Sequence, residues 1–136
     1  MIVFVQPFGL YSTVGGARIM RSLLKDAPHP CISICVSPKA QPESMEIKEI
    51  HLAIRPYCGR IETTRLTKFL YMLELLFSNN FRNKLLSICR EYKATAIHGI
   101  AHAMDFWYAY EVSREMKVPF YLSVHDDIKY NYKGKP

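Results

Sequence analysis

The sequence predicts an α/β fold: a doubly wound parallel sheet of about five strands with helices on both faces. Three observations lead there. Short uncharged runs rich in β-branched residues alternate with segments whose apolar residues recur every three or four positions. The uncharged runs lack a polar side, as strands covered on both faces require. The chain has 136 residues, 49% of them hydrophobic and 22% charged, which suits one globular domain spanning 1–136. This is a Rossmann-like pattern.

The first strand is Ile2 to Val5 in MIVFVQP, followed by a long loop from Phe8 to Gly16. From Ala17 to Lys25 a helix places Ala17, Met20 and Leu24 on one face, with Ile19 and Leu23 beside them, until DAPHP stops it. The second strand, Cys31 to Ser37, turns Ile32, Ile34 and Val36 one way and Cys31, Ser33 and Cys35 the other. After the proline-containing loop SPKAQPES comes a third strand, Ile47 to Ile54. Its Lys48, Glu49 and His51 suit a position near the sheet edge.

Beyond RPYCGR the period changes to that of a helix. Leu66, Phe69, Leu70, Leu73, Leu76 and Phe77 form one stripe between Thr63 and Phe77. Ser78-Asn79-Asn80 is expected to break this helix and cap another from Phe81 to Tyr92. A fourth strand in ATAIHG, a helix from Asp105 to Met116 and a fifth strand in VPFYLSVHDD complete the chain. The two-helix insert fits the long crossover that carries a doubly wound chain back past its first strand. Strands one and four are then neighbours, and ligands bind outside their carboxyl ends. Gly15 and Gly16 in the loop after strand one, His98 at the end of strand four, and His125 and Asp126 at the end of strand five would all meet on that rim.

The net charge of +6 and pI near 9.2 favour acidic partners such as phosphorylated ligands or an anionic membrane surface. Basic residues are dispersed, with no run of five like charges, so no nucleic-acid groove is expected. Cys31, Cys35, Cys58 and Cys89 make no CxxC pair and read as reduced packing cysteines of a cytoplasmic protein. The apolar start is too short for a secretory signal, and no stretch approaches the roughly 20 apolar residues of a membrane span.

The glycine pair in STVGGARIM opens a helix, where the backbone can approach an anion without a Cβ intervening. Neither G-x-G-x-x-G nor a Walker A loop is present. Arg18 is either a cation for that anion or a solvated surface arginine. His125 and Asp126 leave a buried strand, which is costly unless they are used or well hydrogen-bonded. A zinc site from His98, His102, His125 and Asp126 is disfavoured because the histidines fall in loops without a paired ligand. A nucleophilic triad is disfavoured by the lack of a G-x-S-x-G elbow. The aromatics of MDFWYAY serve core and interface, or else a sugar or lipid platform. Tyr71, Met72 and Leu75, with Arg65 and Lys68 close by, either pack on the Phe81–Tyr92 helix or lie against a membrane.

In order and spacing, the opening strand, the loop ending in GGAR, the strand AIHG and the later PFYLSVHDD resemble the N-terminal domain of retaining GT-B glycosyltransferases of family 4. The resemblance runs over nearly the whole chain, though each motif is short. It implies that Gly15 and Gly16 approach the phosphates of a nucleotide-diphosphate sugar. It also implies that His125, with Asp126 beside it, lies at the transferred sugar and that His98 lines the cleft. It implies no metal and no cofactor beyond the donor substrate, and a saccharide or lipid-linked acceptor at the inner membrane face. Family members carry a second Rossmann-like domain with an E-x7-E carboxylate pair, for which Glu111 and Glu115, four apart, are no substitute. The chain is therefore expected to be the acceptor-side half of such an enzyme, as a fragment or as a stand-alone acceptor-type domain, not turning over by itself. The rival expectation is a non-catalytic Rossmann-like binding or assembly module.

Overall fold

Alternation along the strands sets two faces of a sheet in the computed structural model, which describes residues 1–39, 46–58, 67–101 and 105–124. The strands are β1 (Ile2–Gln6), β2 (Cys31–Cys35), β3 (Glu49–His51), β4 (Ala96–Ile100) and β5 (Phe120–Ser123). All pair in parallel in the order β3-β2-β1-β4-β5, so β1 and β4 are neighbours as expected. The helices are α1 (Gly15–Lys25), α2 (Thr67–Glu91) and α3 (Asp105–Met116).

Both faces are covered. On one, Val3, Val5, Ile32, Ile34 and Ile97 pack against Phe81, Leu85 and Cys89 of α2 and Tyr108, Ala109 and Val112 of α3. Phe81 and Tyr108 meet edge to face at 5.4 Å between ring centres. On the other face, Met20 and Leu24 of α1 join Leu10, Ile47 and Ile100, with Phe4, Phe8 and Cys31 at the margin. Ala17, Met20 and Leu24 are buried as their spacing predicts, whereas Ile19 and Leu23 face solvent.

Two expectations are corrected. Ser78-Asn79-Asn80 does not break the helix; α2 runs unbroken through it. The buried positions Leu70, Phe81, Leu85 and Cys89 keep one face across the polar triplet, which contains neither glycine nor proline, and Asn79 and Asn80 point outward at small propensity cost. Consequently the segment around Met72 cannot pack on a Phe81–Tyr92 helix, because both lie on one helix; Met72 is 65% and Leu76 76% exposed. The second correction concerns His98, which does not end its strand. The ladder continues through Gly99 and Ile100, and Ala101 N–H donates to the Ser123 carbonyl at 2.9 Å. No helix among the described residues is long and apolar enough to cross a membrane.

Candidate functional site

Because the strands are parallel, the carboxyl ends of all five lie at one rim, and the loop after β1 delivers the N terminus of α1 to it. Gly15 and Gly16 are the first two residues of α1. Val14 is the N-cap residue, in an extended conformation (φ −68°, ψ 148°); its side chain makes no capping hydrogen bond, and the first turn holds no acidic residue. The leading N–H groups of a helix have no intrahelical carbonyl, and the dipole adds partial positive charge there. An anion can take both roles.

The two glycines differ. A Cβ on Gly16 would meet the Phe8 ring at 2.8 and 2.9 Å, so its smallness is explained by packing inside the chain. A Cβ on Gly15 would meet none of the described residues within 4 Å. Arg18 is exposed in the same first turn, while the Arg21 guanidinium sits 5.4 Å from the centre of the Tyr11 ring.

His98 lies one row inside the rim, half-buried between β1 and β5. Its ring is 5.0 Å from that of Phe4, and its Nε2 shares a hydrogen bond with Ser123 Oγ at 2.9 Å. That bond fixes the ring on the face of the sheet that carries α1. His125 and Asp126 lie outside the described residues, as do His102 and Met104. β5 ends at Ser123, at the same rim as the start of α1.

A second polar cluster, not anticipated as a site, occupies the same face over β1, β2 and β3. Register pairs Gln6 with Cys35 and Cys35 with His51, and Ser33 with Glu49 one row inward. Gln6 and Ser33 are fully buried and joined by a 2.8 Å hydrogen bond from the Gln6 amide nitrogen. The Glu49 carboxylate is wholly buried; Oε1 lies 3.1 Å from His51 Nε2, and Oε2 accepts a hydrogen bond from Leu10 N–H at 3.0 Å. Burial, and then the carboxylates of Glu49 and Asp105, push the Cys35 thiol up to about 12. Asp105, also buried, opens α3, where its charge complements the helix dipole. The spacing of Glu49 and His51, two apart on one side of a strand, was the signal in the sequence. What it lacked was the register that sets Cys35 opposite.

A cavity of about 530 Å³ lined by Lys25, His29, Cys31 and Lys48 lies at the other end of the sheet, where α1 ends and β2 begins. Topology assigns ligands to the carboxyl rim instead. The start of α1 and the row Gln6, Cys35 and His51 are found there.

No protein-family model matches the chain, and no curated protein matches it in sequence. Its fold is similar to that of TcCGT1, solved in complex with UDP, with a TM-score of 0.59 and 14% identity. That likeness covers 95% of this chain but 29% of TcCGT1, so the chain spans less than a third of that protein's length. It is also similar to the C-terminal domain of PF1911 hydrogenase from Pyrococcus furiosus, with a TM-score of 0.52, 13% identity, and 90% and 89% of the two chains covered. At such identities the likeness is one of fold. The chain has a Rossmann-like parallel α/β sheet matching one half of a GT-B fold.

Proposed function

We propose that the chain is the N-terminal, acceptor-side half of a family 4 retaining glycosyltransferase, moving a sugar from a nucleotide-diphosphate sugar to an acceptor hydroxyl. The observation that carries this reading is the first turn of α1: without a capping bond from Val14, free of acidic residues, and led by Gly15, whose missing Cβ no described neighbour requires. The UDP held by TcCGT1, which shares the fold, supports a nucleotide-sugar partner.

In this reading the diphosphate accepts hydrogen bonds from the N–H groups of Gly15 and Gly16, and Arg18 adds a cation without occupying the turn. His98, oriented by Ser123, lines the cleft between β1 and β5. His125 polarises or positions the sugar, with Asp126 beside it. Charge developing on the leaving diphosphate is met by the helix N terminus and basic side chains, aided by the +6 net charge. A complementary nucleotide-binding half, a saccharide or lipid-linked acceptor and the cytoplasmic membrane face complete the proposal.

The test is a titration of the isotopically labelled chain with UDP and a panel of nucleotide sugars, followed by NMR. The amide signals of Gly15, Gly16 and Ala17 are expected to move with the His98 ring signals. A folded chain whose first α1 turn stays still at several millimolar ligand refutes the reading. The binding-module alternative rests on the fold alone, which the chain shares with the hydrogenase domain as well as with TcCGT1. A stable self-association without nucleotide-sugar response favours that alternative.

A further inference from the structure

We propose that Cys35, Glu49 and His51 form a binding site for one divalent transition metal of the zinc class. One ligand atom from each residue lies within 4.8 Å of the other two. The Glu49–His51 pair is already at 3.1 Å. Bonds of about 2.0–2.3 Å in a tetrahedral site set ligand atoms about 3.5 Å apart, so closure requires only a small side-chain adjustment around Cys35.

The chemistry of the set is selective. A thiolate, an imidazole and a carboxylate together suit zinc or cobalt, whereas magnesium and calcium require oxygen donors. The charges also balance. A thiolate and a carboxylate bring two negative charges into a buried place, and a divalent ion neutralises them. The Leu10 N–H bond at 3.0 Å holds Glu49 Oε2 and leaves Oε1 facing His51, so the carboxylate is oriented for monodentate binding. Gln6 stands opposite Cys35 in register, and its buried Oε1 has no hydrogen-bond partner among the described residues. Three protein ligands leave one position for that oxygen or for water.

Placement gives the metal a structural consequence. Cys35 ends β2 and His51 ends β3, while Leu10 belongs to the loop that leads to α1. One ion therefore ties two strand ends to the loop carrying Gly15 and Gly16. This inference is independent of glycosyl transfer, since it uses none of the residues assigned to the donor.

The experiment adds cobalt(II) to the purified, chelator-treated chain and follows its absorption. One equivalent is expected to give a near-ultraviolet thiolate-to-cobalt charge-transfer band and the visible bands of a four-coordinate ion, both bleached by zinc. Cys35→Ser should abolish the charge-transfer band, and His51→Gln, on the edge strand, should weaken cobalt binding by more than about tenfold. A triple Cys31→Ser, Cys58→Ser, Cys89→Ser variant should retain the band. Zinc should also raise the Tm of the native chain and protect the Leu10 amide from exchange, with neither effect in His51→Gln. Absence of a stoichiometric band, or a band that survives Cys35→Ser, overturns the site. Unchanged affinity in a folded His51→Gln does so as well.

Discussion

Substituting Gly15 and Gly16 separately by alanine distinguishes a glycine needed for packing from one needed for a ligand. In a helix, alanine is favoured over glycine by about 0.5–1 kcal/mol, a gain both variants share in part at a helix start. At Gly16 the new methyl group would lie 2.8 Å from Phe8 Cζ and 2.9 Å from Cε1. Carbon contacts are optimal at about 3.5–4.0 Å, so the ring must withdraw by roughly 1 Å. Phe8 packs at the margin of the cluster containing Leu10, Met20 and Ile100, and such overpacking costs about 1–3 kcal/mol. At Gly15 the methyl group enters open space. Gly16→Ala should therefore be less stable than Gly15→Ala by about 1–3 kcal/mol in urea unfolding. Nucleotide-sugar binding should show the reverse emphasis, with Gly15→Ala losing about tenfold or more in affinity while remaining as stable as the native chain. Equal stability of the two variants would refute the packing argument. Unimpaired binding by Gly15→Ala would refute the ligand argument.

Burial pushes the Cys89 thiol up to about 12, well above its ordinary value of 9.0, so folding favours the protonated form. That contribution is complete below about pH 9 and is lost as pH rises toward 12, so metal-free chain should lose on the order of 1 kcal/mol between pH 8 and 10 through this residue. Cys89→Ala, though less stable at pH 8, should lack this part of the decline; parallel pH profiles would show that the thiol is not buried in the native fold. Phe81→Ala should cost about 3–5 kcal/mol, because Phe81 is among the largest fully buried side chains and joins α2 to α3, and a loss below about 1 kcal/mol in thermal or urea melts would contradict that packing. In an enzyme carrying both halves, His125→Ala should lower kcat by on the order of a hundredfold, and an unchanged kcat would remove His125 from the reaction.

The sheet was legible because its evidence is local. Uncharged runs such as Ile2 to Val5 and Cys31 to Cys35 announce strands buried on both faces, and their alternation with helical periods announces parallel order. The position of β3 at the edge also followed from its polar residues. Continuity of α2 was not legible, because Ser78-Asn79-Asn80 has the chemistry of a cap and only the shared buried face of Leu70, Phe81 and Leu85 overrides it. His98 was placed one row too far out because the end of a strand depends on its partner: Ala101 N–H still bonds to Ser123.

The candidate site was legible to the extent that topology controls it. Strand order brings the start of α1 and the ends of β4 and β5 to one rim, and a glycine pair is visible in any sequence. The distinct reasons for the two glycines were not visible, since the ring that explains Gly16 belongs to Phe8, at the opposite end of the loop. The cluster of Cys35, Glu49 and His51 was hidden for a related reason: Cys35 and His51 are paired across two strands, and only their register makes a thiol and an imidazole neighbours.

One fold accommodates both a UDP-bound protein and a hydrogenase domain, so the sheet does not decide what the rim does. The side chains around β1 do. On one side of this strand Phe4 touches His98, whose ring is bonded to Ser123. On its other side Gln6 reaches Ser33 and stands opposite Cys35, beside the buried carboxylate of Glu49. The loop leaving β1 serves both regions, because Leu10 binds Glu49 and Phe8 fills the space over Gly16. An anion held at the start of α1 and a cation held at the ends of β2 and β3 would thus rest on one short segment. The Leu10–Glu49 hydrogen bond and the Phe8 ring are two of the contacts that hold it, and removing either should loosen the turn that Gly15 leads without dismantling the two hydrophobic layers that hold the sheet.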